Sequence, residues 1–273
     1  MYIHKKYSLN NEIQDIKVYK TALKEITKLN LRRSSKLNIL AILGALSCVD
    51  KSTLSDTTGI YICSEYGSIV SVKKVLEELS NDSIIMPFDF LNINTNNASF
   101  YVSQALESHG KNMVLTSDNL SFEKGLELAL FDLEIDELQD VLIGKVDESL
   151  CSIKDYNKYI SNLQNLPSND YSGWLYINKT KENALCKIES VESFSSITEL
   201  NKKIKALNYD TISLNQFAKI NINTIHADTN KITYKETLNT MEYIIDFIES
   251  SFQRMILISM DTKEKGVVFY IKK

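Results

Sequence analysis

Asn112-Met113-Val114-Leu115-Thr116-Ser117-Asp118-Asn119 is a charge-free apolar run that ends in a polar turn. Such a run suits a strand held inside a sheet, and we expect 112–116 at the sheet's centre. The turn opens a helix over 120–134, where apolar positions recur at helical spacing. Upstream, a helix over 97–108 is expected to stop at His109-Gly110, because Gly just past a helix favours the left-handed cap. Downstream, 140–144 (Asp-Val-Leu-Ile-Gly) reads as a buried strand.

Working outward, residues 58–63 form a strand, followed by Ser64-Glu65-Tyr66-Gly67 and an amphipathic helix ending at Leu79. Residues 83–97, with Pro87 and a cluster of Asn, read as irregular. An amphipathic helix is expected within 15–30. Residues 32–48 are apolar all round and read as a buried helix, with Gly44 allowing close packing. Strands alternating with helices indicate a layered α/β fold. Past residue 150 the pattern turns antiparallel. Segments 174–178 and 185–191 are expected to pair as a hairpin. A helix over 196–207, a strand over 211–214, a helix over 235–252 and strands over 255–260 and 267–271 complete the chain.

With 8 Gly and 2 Pro among 273 residues, nothing divides the chain into linked domains, and no internal repeat is visible. We expect a single domain over 1–273, with an N-terminal half (1–150) and a shortened C-terminal half (151–273). A net charge of −4 and short basic spots, Arg32-Arg33 and Lys202-Lys203 with Lys205, argue against nucleic acid. Met1-Tyr2-Ile3-His4-Lys5-Lys6 has no apolar stretch behind it, so no signal peptide is expected. The longest apolar run, 39–46, is far short of the roughly 20 residues that cross a bilayer. Cys48, Cys63, Cys151 and Cys186 lack metal-ligand spacing. We expect reduced thiols in the cytoplasm, with no metal and no cofactor.

Five segments in order resemble the β-ketoacyl synthases. Leu31-Arg32-Arg33-Ser34-Ser35-Lys36-Leu37 resembles that family's Arg-Met-Ser-x-Leu helix start. Thr58-Gly59-Ile60 through Gly67 is similar to its Gly-hydrophobic strand and Gly-containing turn. Pro87-Phe88 through Asn92, Asn96 and Ala98 looks like its Pro-Phe…Asn-Ala segment. Gly110-Lys111-Asn112 and the strand after it resemble its Gly-Pro-Asn and nucleophile strand. Asp140-Val141-Leu142-Ile143-Gly144-Lys145-Val146-Asp147-Glu148 is similar to its Asp-x-hydrophobic-Gly-Gly-x-Asp/Glu-Glu stretch. The resemblance covers 31–148 and is fainter beyond. It implies a thiolase-like layered αβαβα fold, two stacked sheets with helices between and outside, and a reduced C-terminal half.

The chemistry of that family needs a Cys thiolate at a strand-to-helix turn and two histidines. By resemblance, Asp118 stands at the nucleophile position, where a carboxylate forms no stable thioester and suits capping of the next helix. Asn215 stands at the place of the first His, and no Gly-His turn precedes 235–252. His4, His109 and His226 are the chain's three histidines, and none has the motif context. The pattern resembles the chain length factors, catalytically inactive partners of an active ketosynthase, in the compact form found in aryl-polyene-type pathways. That implies a heterodimer with an active β-ketoacyl synthase, visited by an acyl carrier protein, in polyketide- or fatty-acid-type biosynthesis. Met113, Val114 and Leu115 are then interface residues, and Phe88, Phe90, Leu91 and Phe100 line the interface or tunnel. The alternative is an autonomous acyltransferase or acyl-binding homodimer that uses Cys63 as a displaced nucleophile.

Overall fold

The computed structural model describes residues 1–156, 168–233 and 239–273. The first half runs β1 (Tyr2–Asn11), α1 (Ile16–Ile26), α2 (Lys36–Cys48), β2 (Gly59–Ser64), α3 (Ile69–Ser80), α4 (Pro87–Asn92), α5 (Asn96–Leu106), β3 (Asn112–Thr116), α6 (Ser121–Glu134), β4 (Asp140–Asp147) and β5 (Asp170–Asn178). The second runs β6 (Cys186–Phe194), α7 (Ile197–Lys205), β7 (Thr211–Leu214), α8 (Gln216–Ile220), β8 (Ile232–Thr233), α9 (Thr240–Glu249), β9 (Arg254–Met260) and β10 (Gly266–Lys272).

These strands hydrogen-bond in the order β3-β2-β4-β5-β1-β6-β10-β9-β7-β8. The middle is thin: β1 and β6 share only the pairs Tyr2↔Lys187 and Ile3↔Cys186. Read outward from that seam, each half takes its own strands in the order first, fifth, fourth, second, third. The three outer strands of each half are parallel and the inner ones antiparallel. The internal repeat that the sequence conceals is therefore present in the topology. Burial constrains only apolar pattern and volume, so two halves can share a path without sharing residues.

Side-chain alternation builds the layers. On β2, Ile60 and Ile62 face one core with α1, α2 and α5, while Tyr61 and Cys63 face another. On β9, Met255 and Leu257 face that same second core, and Ile256 and Ile258 turn to α7 and α8. The shared core holds α6 (Phe122, Leu126, Ala129, Leu133) and α9 (Met241, Ile244, Ile245) between the two half-sheets. Helices thus lie between and outside the sheets, as expected. Strands covered on both faces read as continuous apolar runs, which explains 140–144 and 255–260. Trp174 on β5 is fully buried between two glycines; a Cβ on Gly44 would sit 2.5 Å from its Nε1, and one on Gly144 2.5 Å from its ring.

Several expectations are corrected. Strand 112–116 lies at the edge of the sheet rather than its centre, paired among the described residues only with β2. Segments 174–178 and 185–191 do not form a hairpin, because β1 lies between β5 and β6. The sequence reading missed β1 since Lys5 and Lys6 interrupt its apolar pattern. Lys5 Nζ reaches out to the Thr53 hydroxyl and Lys6 to Glu249, so the stems stay on the sheet and the charges escape it. Residues 83–97 contain α4, with Pro87 in its first turn. Helix α5 ends at Glu107, which takes the left-handed conformation (φ 58°) expected of Gly110. Helix 235–252 is observed as α9 from Thr240 to Glu249, and 235–238 lie outside the described residues. The passage between halves follows Asn178, because β5 belongs to the first half-sheet. No described helix is long and apolar enough to cross a membrane.

Candidate functional site

Two turns meet at the end of β9. Asn119 lies between β3 and α6, and Asn215 follows β7 directly. Their side-chain amides both donate to the carbonyl of Met260, at 2.9 and 2.8 Å. Asn215 also caps α8, its Oδ1 accepting the Ala218 N–H at 2.9 Å. Sequence reasoning placed Asn215 here and missed Asn119, choosing Asp118 one residue earlier. The Asp118 side chain points outward, 45% exposed, with both oxygens 3.3 Å from Lys124 Nζ. It accepts the Leu120 N–H at 2.9 Å, while the N-cap position of α6 is Leu120 itself, without a side-chain bond. Asp118 therefore holds the turn before the helix and does not cap it. Ser121 Oγ accepts the N–H groups of Ser117 and Asp118, each at 3.0 Å, and donates to the Asp118 carbonyl at 2.6 Å. Those amides are thus engaged within the protein and do not face a ligand.

Behind this turn lies a buried charged cluster that the sequence reading did not identify. Glu123 on α6 accepts the Thr240 hydroxyl, which lies 2.8 Å from the Ser259 hydroxyl next to Met260. Its second oxygen, Oε2, is buried without a donor. Burial pushes the Glu123 carboxyl up against the opposing pull of Lys145. Burial lowers Lys145, and Glu65, Asp147 and Glu123 together outweigh it, so its ammonium stays charged. Asp147 is raised to about 6 by burial, although Lys145 opposes the shift and Ser64 and the Glu65 N–H donate to it at 2.7 and 2.8 Å. The available signal was the pair Lys145 and Asp147 directly after the apolar run 141–144.

Cys63 lies against this cluster and is fully buried. A Cβ on Gly125 of α6 would sit 2.2 Å from its Sγ, so the helix seals the thiol. Burial first, then Glu123, push the thiol far above its ordinary range, and a nucleophile needs the thiolate. The reading of Cys63 as a displaced nucleophile is thereby corrected. None of the histidines reaches Asn119 and Asn215. His4 Nε2 bonds the Thr180 carbonyl, while His109 and His226 are exposed and use their backbone N–H on Asp56 and Asn201. Around the Met260 carbonyl the site offers carboxamides and hydroxyls that position groups, while the titrating carboxyl of Asp147 sits at the end of β4. Among the described residues, no cluster of His, Cys, Asp and Glu could hold a metal ion.

On the surface, Phe88, Phe90 and Leu91 project from α4, which packs on α3, and Phe100 from α5, which packs beside β3. Phe90 is 61% exposed and Phe100 57%. Arg33 stacks on Phe88 at 4.3 Å from the ring centre. Ile84 and Met86, just before α4 in the chain, are exposed as well. Met113, Val114 and Leu115 are half-buried on β3, whose outer edge pairs with nothing among the described residues. Of the expected interface residues, Phe88, Phe90, Leu91 and Phe100 are exposed, whereas Met113 and Leu115 pack half-buried against the central core and Val114 against the core of α2 and α5.

No protein-family model matches the chain, and no curated protein matches its sequence. Solved structures do match along its whole length. The ishigamide ketosynthase/chain length factor is similar with a TM-score of 0.73 at 10% identity, covering 99% of this chain and 98% of that one. The complex of the ketosynthase ApeO with its chain length factor ApeC from Xenorhabdus doucetiae is similar with a TM-score of 0.61 at 13% identity, covering all of both chains. A β-ketoacyl synthase from Burkholderia phymatum gives a TM-score of 0.73 at 9% identity, covering 100% of this chain and 98% of that chain. The chain has the thiolase-like fold of the ketosynthases.

Proposed function

We propose that this thiolase-like chain is a non-catalytic chain length factor, which pairs with an active β-ketoacyl synthase and shapes that enzyme's acyl tunnel. The observation that carries the reading is the open, charge-free edge of β3, which packs beside α5 and its exposed Phe100. An uncovered apolar edge is a liability that proteins normally protect, so a partner strand is its expected cover. An apolar patch of this kind marks an interaction surface. Asn119 and Asn215 at the strand ends support the non-catalytic part. A carboxamide neither holds an acyl group as a thioester nor passes a proton at neutral pH. The whole chain, 1–273, acts as one unit in the cytoplasm. It uses no cofactor, and an acyl carrier protein delivers the growing chain to the partner's nucleophile. Phe88, Phe90, Leu91 and Phe100 set the tunnel's far wall.

Co-expression with a ketosynthase encoded beside it should give a stable one-to-one complex on size exclusion. The isolated chain, incubated with acyl- and malonyl-carrier protein, should yield no condensation product and no acyl adduct by mass spectrometry. An acylated cysteine on this chain would overturn the reading.

A further inference from the structure

On the face of the first half away from α6, a hollow of about 450 Å³ opens between the start of α2, the start of α3 and the chain that follows β4. Its rim carries Arg32, Arg33 and Lys74, and its wall the hydroxyl residues Ser34, Ser35, Ser71, Ser149 and Ser152. Lys74 is already paired with Asp89 at 2.6 Å, which leaves the two exposed arginines as the rim's available positive charge. Helix α2, 13 residues long, points its N-terminus at the same hollow and adds partial positive charge.

The floor is Glu148, 5% exposed. Its neighbour Asp170 is saturated: it accepts the Tyr19 hydroxyl at 3.0 Å, the N–H groups of Gln14 and Ser149 at 3.1 and 2.9 Å, and Lys36 Nζ at 2.5 Å. Lys36 is thereby committed to Asp170. Among the described residues, Glu148 Oε1 is left buried with no hydrogen-bond partner. A buried carboxyl without a partner costs about 1–3 kcal/mol or more, so its retention calls for a group that fills it. Glu148 and Arg32 are unused by the machinery described above, and Arg33 touches it only through the face it stacks on Phe88.

We propose that this hollow binds a small phosphorylated polyol, its phosphate on Arg32 and Arg33 at the α2 N-terminus and one hydroxyl hydrogen-bonded to Glu148. Guanidinium groups match phosphate oxygens in fork geometry, and a helix start favours the same charge. The serine wall suits further hydroxyls, and the volume fits a molecule of a few carbons. Glu148 supplies the selectivity, because a bare phosphate placed near it finds no favourable partner there.

Isothermal titration of the full chain with glycerol 3-phosphate, inorganic phosphate and glycerol tests this directly. Glycerol 3-phosphate should bind at least about tenfold more tightly than either fragment, as one good hydrogen bond to a charged group allows. Arg32→Ala and Arg33→Ala should each weaken binding of both phosphates. Glu148→Gln should remove the preference for glycerol 3-phosphate and leave inorganic phosphate unchanged. If Glu148→Gln does not fold, the exposed Ser152→Ala is the second variant and should weaken only the polyol phosphate. The proposal is overturned if glycerol 3-phosphate does not bind. It is equally overturned if it binds no better than inorganic phosphate, since the arginines alone explain that.

Discussion

Glu148 and Asp147 are adjacent carboxyls held up by burial, at about 7 and about 6. In the unfolded chain such groups release their protons near pH 4. The folded protein therefore keeps protons that the unfolded chain has lost. Stability from these groups is complete below about pH 4 and is lost as pH rises through 6 and 7. For Glu148 alone the shift corresponds to about 3 kcal/mol between the two limits. We expect the urea midpoint of the wild type to fall between pH 5 and 8, and Glu148→Gln to flatten that fall and gain on the wild type above pH 7. A variant slope equal to the wild type's would place the titrating proton elsewhere. Phe90, largely exposed, tests a different property of a single side chain. Phe90→Ala should change stability by less than about 1 kcal/mol, as surface truncations do. In complex with the ketosynthase, either Phe90→Ala or Phe88→Ala should shift products to longer chains by mass spectrometry. Unchanged product length in both would remove these rings from the tunnel wall.

At the level of elements, β3 and the pair β4–β5 make opposite demands. The edge of β3 is open but the Val114 side chain packs half-buried against the core of α2 and α5, so Val114→Asp should lower the thermal midpoint of the isolated chain by some degrees while leaving it folded. In an assembled sheet the same carboxylate is buried without a partner, at a cost of about 3 kcal/mol, or roughly a hundredfold in affinity. Pull-down by the ketosynthase should accordingly fail, and an intact complex would exclude β3 from the interface. Strand β4 has no such slack, because the ring of Trp174 occupies the space above Gly144. Gly144→Ala should destabilise by about 1–3 kcal/mol through overpacking, read as a lower urea midpoint. The close packing of helix 32–48 through Gly44 was legible, since an all-apolar helix with one Gly has few other uses. Helix α4 was not, because six residues with Pro at the start carry no periodicity.

For the whole molecule, the central core decides how the halves depend on each other. Helices α6 and α9 share one cluster with strands from both half-sheets. Fragment 1–180 expressed alone should therefore expose the inner face of α6 and unfold without cooperativity in urea. A cooperative transition would mean that each half is a domain of its own. Most elements were readable one by one because burial on two faces writes continuous apolar runs, and helices write spaced ones. The layered α/β class followed from their order, and the polar residues at the strand ends, Asn215 above all, were visible as departures from a reactive pattern. Strand neighbours were not visible. Placing β1 between β5 and β6 is a pairing across about 160 to 185 residues, and local pattern carries no information about it. The same holds for the convergence of Asn119 and Asn215 on Met260, where a shift of one residue separates an amide in the site from a carboxylate in solvent. Sequence by itself determined which segments are buried and which turns lack reactive groups, since those depend on side-chain type. Only the tertiary structure decided that β3 is an edge, that Cys63 is sealed and that Glu148 Oε1 has no hydrogen-bond donor among the described residues, because each depends on what another part of the chain places beside it.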